Sequence, residues 1–140
     1  MTVTYNSSTW KLIHADKPLP RRLTSFSVKI DHTQSSFVMI GIIPKCHLTL
    51  DTCFNSAGVY MYYANDGTAR CSGLGKSTQL PKSTTNSIIT VTVDLSTNKI
   101  EWTIDNNQIW STRLDSSYTN NNEYYPCIEL RTQNDKVSFI

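Results

Sequence analysis

The pattern that most constrains this chain is an alternation of apolar and polar residues with period two. Phe26, Val28 and Ile30 alternate with Ser25, Ser27 and Lys29, and Ile100, Trp102 and Ile104 alternate with Glu101, Thr103 and Asp105. Val137 and Phe139 repeat the rhythm at the end of the chain. Successive side chains of an extended strand leave on opposite faces, so this spacing predicts half-buried strands. The β-branched run 88–93 reads as another strand. Residues 37–43 and 127–130 are more continuously apolar, which fits central strands. Turn chemistry separates these runs: Asn65-Asp66-Gly67 reads as a hairpin turn, Asp105-Asn106-Asn107 as a tight turn, and 116–123 as a polar loop. No stretch keeps a helical period over three turns. Many short strands punctuated by turns predict an all-β, two-sheet antiparallel sandwich or a barrel.

Composition agrees and excludes other classes. The chain has 140 residues, the length of one ordinary domain spanning 1–140. Charged residues are only 17% of it, against a usual share of about 25%. Few charges and many β-branched residues argue against helical bundles and coiled coils. Aromatic residues throughout argue against disorder. The net charge is +2 and the basic residues are scattered, unlike the clustered face of a nucleic-acid domain. One stretch, 67–93, holds Arg70, Lys76 and Lys82 and no acid. No apolar run approaches the roughly 20 residues that span a bilayer, so no membrane role is expected. The first residues lack the basic start and apolar core of a signal peptide, which predicts a cytoplasmic, intracellular protein. Cys46, Cys53, Cys71 and Cys127 are then expected to be reduced. The chain stops on its last strand, which suggests a domain cut from a longer protein.

The order of motifs resembles that of SPRY/B30.2 domains. Trp10-Lys11-Leu12-Ile13 with Asp16-Lys17-Pro18-Leu19 looks like the opening of such domains. Phe26 to Ile30 and Met39-Ile40-Gly41-Ile42 are similar to the family's early strands. Gly58-Val59-Tyr60 through Asn65-Asp66-Gly67 looks like its "G-x-Y-x-x-D-G" hairpin. Val91-Thr92-Val93-Asp94-Leu95 followed by Ile100-Glu101-Trp102-Thr103-Ile104 is similar to its most recognisable stretch. Tyr124-Tyr125-Pro126-Cys127-Ile128-Glu129-Leu130 and Val137-Ser138-Phe139 complete the series. Elementary chemistry supports several of these positions. Asp94 ends a strand, where its carboxylate can bond turn N–H groups. Trp102 is large enough to fill the gap between two sheets. Pro126 suits the start or edge of a strand. The resemblance implies a jelly-roll, concanavalin-like SPRY sandwich, with the PHR-type sandwich as a neighbouring form. The chain departs from the pattern at Arg21-Arg22-Leu23 and at Asn107, where glycine is usual. It also has Thr68-Ala69-Arg70 where several peptide-binding members carry an aromatic, which argues against their Asn-rich ligands.

Catalytic and metal chemistry finds little footing. Residues 73–77 resemble the end of a phosphate-binding loop, but Arg70 replaces the required glycine and no helix follows. Cys46, His47 and Cys53 lack the paired spacing of a zinc site. The carboxylates lie mostly at turns, where they have a structural task. No cofactor and no metal are therefore expected. Tyr60 and Tyr62 share one strand face and Tyr63 takes the other, so one set faces the core and the other is available to a partner.

These observations predict a non-catalytic protein-interaction module, monomeric as an isolated domain, that binds a protein or peptide and no nucleic acid. The resemblance implies a shallow site made by loops at one end of the sandwich, built from 44–53, 63–70 and 105–107. The expected partner-binding residues are Tyr63, Asn65 and Arg70, with Lys45 and His47 at the rim. The resemblance also implies a substrate-recruiting role in a ubiquitin ligase or scaffold. The competing expectation is a carbohydrate-binding, lectin-like sandwich.

Overall fold

A computed structural model of the chain describes residues 1–71 and 80–140, with the backbone of Lys76 and Ser77. In chain order the strands are β1 (Thr2–Thr4), β2 (Lys11–His14), β3 (Thr24–His32), β4 (Val38–Pro44), β5 (Tyr60–Tyr63) and β6 (Thr68–Cys71). They continue as β7 (Lys76–Ser77), β8 (Ile88–Asp94), β9 (Lys99–Ile104), β10 (Asn107–Arg113), β11 (Tyr124–Leu130) and β12 (Lys136–Phe139). They form two six-stranded sheets in which the paired strands run antiparallel. The first has the order β1-β12-β3-β8-β9-β10 and the second β2-β11-β4-β5-β6-β7. No helix among the described residues is long and apolar enough to cross a membrane.

The predicted alternation decides which side chains fill the space between the sheets. Val28, Ile30, Val91, Val93, Ile100 and Trp102 of the first sheet meet Ile40, Ile42, Tyr60, Tyr62 and Ile128 of the second, all at 1% exposure or less. Trp102 ties the layers together: its indole N–H donates to the Ile40 carbonyl at 3.1 Å, and its ring stacks on Trp110 at 4.5 Å. The buried tyrosines end on hydrogen-bond partners, as buried hydroxyls must. Tyr124 donates to the Gly58 carbonyl at 2.7 Å, Tyr62 donates to that of Pro81 at 2.5 Å, and Tyr60 accepts from the Asp115 N–H at 2.8 Å.

Several local features differ from the sequence reading. The tight turn occupies the first two of the three residues expected to form it. Ile104 pairs with Asn107, and Asp105 (φ 49°) and Asn106 (φ 70°) carry the left-handed conformation of a two-residue hairpin. Asn107 thus opens β10, a strand the alternation did not reveal because a bulge between Gln108 and Trp110 breaks its rhythm. The polar loop 116–123 contains a helical turn, α1 (Ser116–Thr119), capped by the Asp115 carboxylate, which accepts the Ser117 N–H at 2.9 Å. Pro126 lies inside β11 instead of at its start or on an edge strand. Its carbonyl accepts the Ala15 N–H at 2.9 Å just past the end of β2. A residue's N–H and C=O leave the same side of an antiparallel strand, so the missing donor costs no ladder bond with β4. Asp94 behaves as expected, accepting the N–H groups of Ser96 at 2.9 Å and Thr97 at 3.3 Å.

Candidate functional site

The outer face of the second sheet is not a solvated surface. β4 and β11 are buried along their whole length, which explains why their sequences are apolar apart from Glu129. The pairing register sets Glu129, Met39 and Tyr63 in one row across this face, and Cys127, Gly41, Met61 and Arg70 in the next. Residues 45–59 lie over it, and their Cys53, Val59, Leu48 and Phe54 pack against Leu12, Met39, Met61 and Cys127.

Polar bonds fix that covering segment. The Leu12 N–H donates to the Asp51 carbonyl at 2.6 Å, and the Lys11 ammonium lies 2.7 Å from the Asp51 carboxylate. Beneath it Glu129, fully buried, accepts the Cys53 N–H at 2.6 Å and the Thr52 hydroxyl at 3.0 Å. Burial pushes its carboxyl above the usual range, and these hydrogen bonds only partly offset the shift.

At one end of the segment four rings gather. Trp10 lies 5.8 Å from Phe54, 5.7 Å from Tyr63 and 6.4 Å from Phe37, and Phe37 lies 6.4 Å from Tyr63. All four are half-buried. A guanidinium lies over each flanking ring: Arg70 is 5.5 Å from the Phe54 centroid and Arg131 is 5.1 Å from that of Phe37. Arg70 also donates to the Asn55 side-chain oxygen at 3.1 Å. Burial, reinforced by the Asp66 charge, raises the Tyr63 hydroxyl pKa, while Arg131 and Arg70 oppose it. The patch offers apolar ring area between two planar cations, which suits recognition rather than catalysis.

Of the expected site residues, the structure brings Tyr63 and Arg70 together in this patch. Asn65 stands on the adjoining hairpin, where its amide donates to the Ser35 carbonyl at 2.7 Å and ties that turn to the segment before β4. Lys45 and His47 do not rim the patch. They follow the end of β4, about 20 Å along the strand from the Met39–Tyr63 pair at ~3.3 Å per residue. Lys45 is 3.3 Å from the Glu123 carboxylate, and the His47 Nε2–H donates to the Ala57 carbonyl at 2.8 Å. Lys45, Cys46 and His47 form a 3-10 turn. Among the described residues no three His, Cys, Asp or Glu side chains gather as metal ligands. The phosphate-loop-like residues 73–77 lie outside the described residues, apart from the β7 backbone of Lys76 and Ser77.

Sequence reasoning missed Trp10, Phe37, Phe54 and Arg131 as site residues. The available signal was the apolar run of β4, with no polar alternation, which requires a cover on both faces. A concavity of about 560 Å³ lies on the outer face of the first sheet. Its walls include Leu23, Thr92, Asp94, Lys99, Glu101 and Gln108, and no aromatic ring.

No protein-family model matches the chain, and no curated protein does. Solved structures do. The chain is similar to the SPRY domain of human HERC1, with a TM-score of 0.80 and 17% identity over 99% of this chain and 86% of that one. It is equally similar to a further human SPRY domain, with a TM-score of 0.79 and 17% identity over 99% of this chain and 89% of that one.

Proposed function

With the fold of the SPRY domains as the premise, we propose that this chain is a non-catalytic interaction module that binds a protein or peptide through the outer face of its second sheet. The observation that supports this reading most is the four-ring patch of Trp10, Phe37, Phe54 and Tyr63 between Arg70 and Arg131. Rings and arginines are the side chains that dominate interface energetics. A rigid sheet carrying them keeps the entropic cost of binding low. A recruiting role for a ubiquitin ligase or scaffold extends the proposal on the resemblance alone.

Quantitative pull-down with two sets of variants tests the assignment. Phe37→Ala and Arg131→Gln alter the patch, and Thr92→Arg and Glu101→Lys alter the first sheet's outer face. A specific partner is expected to be lost with the first pair and kept with the second. The reverse pattern contradicts the proposal.

A further inference from the structure

Resting on that reading of the patch, we infer that the segment it binds is acidic: carboxylates flanking one aliphatic or aromatic side chain, which seats on the rings between Arg70 and Arg131. Three observations carry this beyond a generic interface.

The first is the unmet charge. The ion pairs among the described residues, Lys11–Asp51 and Lys45–Glu123, use neither arginine. Arg131 is exposed, its guanidinium placed against the Phe37 ring. Arg70 bonds Asn55 through one terminal nitrogen, and its buried Nε–H has no acceptor. A guanidinium has five donors in a planar fork, and stacking on a ring leaves the fork's edge free for a carboxylate.

The second is the surrounding sequence and its charges. The chain carries no acid from Gly67 to Val93, so the continuation of β6 brings no internal carboxylate to Arg70. Asp66 is the acid whose charge reaches the Tyr63 hydroxyl. Its Oδ1 is occupied by the Thr68 N–H at 3.0 Å and the Thr68 hydroxyl at 2.7 Å. At the surface of the patch two guanidiniums thus face one exposed carboxylate, Asp66, because the other neighbouring acid, Glu129, is buried with its oxygens taken by Cys53 and Thr52.

The third is the seat itself. The four rings are half-buried, so each still presents an edge or face, and two cations border the same apolar area. A lone carboxylate gains little from exposed cations in salt. An apolar side chain that excludes water between them makes the paired contacts stronger. The matching ligand thus combines both chemistries within a few residues.

Selection from a displayed library of random linear peptides on the intact chain tests this. The expected result is enrichment of Asp or Glu next to Leu, Phe or Trp. The selected peptide should lose about tenfold in affinity with Arg70→Gln or Arg131→Gln, and weaken as salt rises. Arg131 is exposed, so its variant stays folded and its loss of affinity reads binding. Neutral or basic peptides that lose affinity with Phe37→Ala but not with Arg131→Gln overturn the acidic ligand and leave the interaction surface standing. Peptides indifferent to both changes, with both variants shown folded by thermal unfolding, overturn the ligand and the surface together. A selection that yields nothing above background does the same.

Discussion

Glu129 on β11 and Cys53 in the covering segment are joined by a 2.6 Å hydrogen bond from the Cys53 N–H to the Glu129 carboxylate. Cys53 immediately precedes Phe54, so this buried acid holds in place one of the rings on which the proposed partner sits. Its pKa is raised above the ordinary 4.5 because burial disfavours the charged form.

The raised pKa fixes a pH dependence. The folded chain binds this proton more tightly than the unfolded chain does. The associated stabilisation is therefore complete below about 4.5 and is lost as pH rises through the raised value. Glu129→Gln keeps an oxygen acceptor for Cys53 and removes the titration. Wild type should gain stability relative to this variant on going from about pH 7 toward pH 4.5. Urea unfolding at both ends of that window checks it, and parallel curves for the two proteins contradict it.

Gly67 closes the Tyr63–Thr68 hairpin beside the patch. Its φ is +69°, and a Cβ there would lie 2.1 Å from the Leu80 carbonyl oxygen. Gly67→Ala should cost about 2–4 kcal/mol, from left-handed backbone and steric overlap together. A denaturation midpoint unchanged from wild type would refute the geometry of this turn.

The cysteines give a test of the covered outer face. Cys46 is exposed, Cys71 is half-buried, and Cys53 and Cys127 are buried. Burial pushes the thiols of Cys53 and Cys127 far up, and a thiol reacts as its thiolate. A thiol-specific reagent should label Cys46 first in native protein, and Cys53 and Cys127 only with unfolding. Peptide mass spectrometry that finds Cys127 labelled as fast as Cys46 contradicts the covered face.

Binding and folding separate within the patch. Arg131→Gln removes an exposed cation–π contact worth about 0.5–1 kcal/mol, so its thermal midpoint should fall only a few degrees. Trp10→Ala empties the centre of three ring contacts and should cost about 3 kcal/mol. Equal losses measured by calorimetry for the two variants would contradict the packing described here.

The strands were legible because period two names the face of each residue, and Ile100, Trp102 and Ile104 could only point inward. Tyr63 was legible for the same reason, standing on the face opposite Tyr60 and Tyr62, whereas Arg70 was legible only from the donor chemistry of its guanidinium. Trp10, Phe37, Phe54 and Arg131 were not. They reach the patch from four separate segments: the pairing of β11 between β2 and β4 brings together those of Trp10, Phe37 and Arg131, and the bond of Cys53 to Glu129 brings Phe54. Lys45 and His47 fall within the loop that was expected to line the site. That loop runs the length of the sheet, so its two ends serve different places. The bulged β10 and the one-turn α1 left no periodic trace to read.

The chain's three tryptophans give the most direct test of the surface. Trp10 is the hub of the patch, whereas the Trp102 indole N–H is buried against the Ile40 carbonyl. Indole N–H resonances should be followed while a selected acidic peptide is titrated into the isotope-labelled chain. The account predicts that the Trp10 signal shifts progressively to saturation while that of Trp102 stays in place. Saturated binding with an unmoved Trp10 signal would contradict the assignment of this face as the interaction surface.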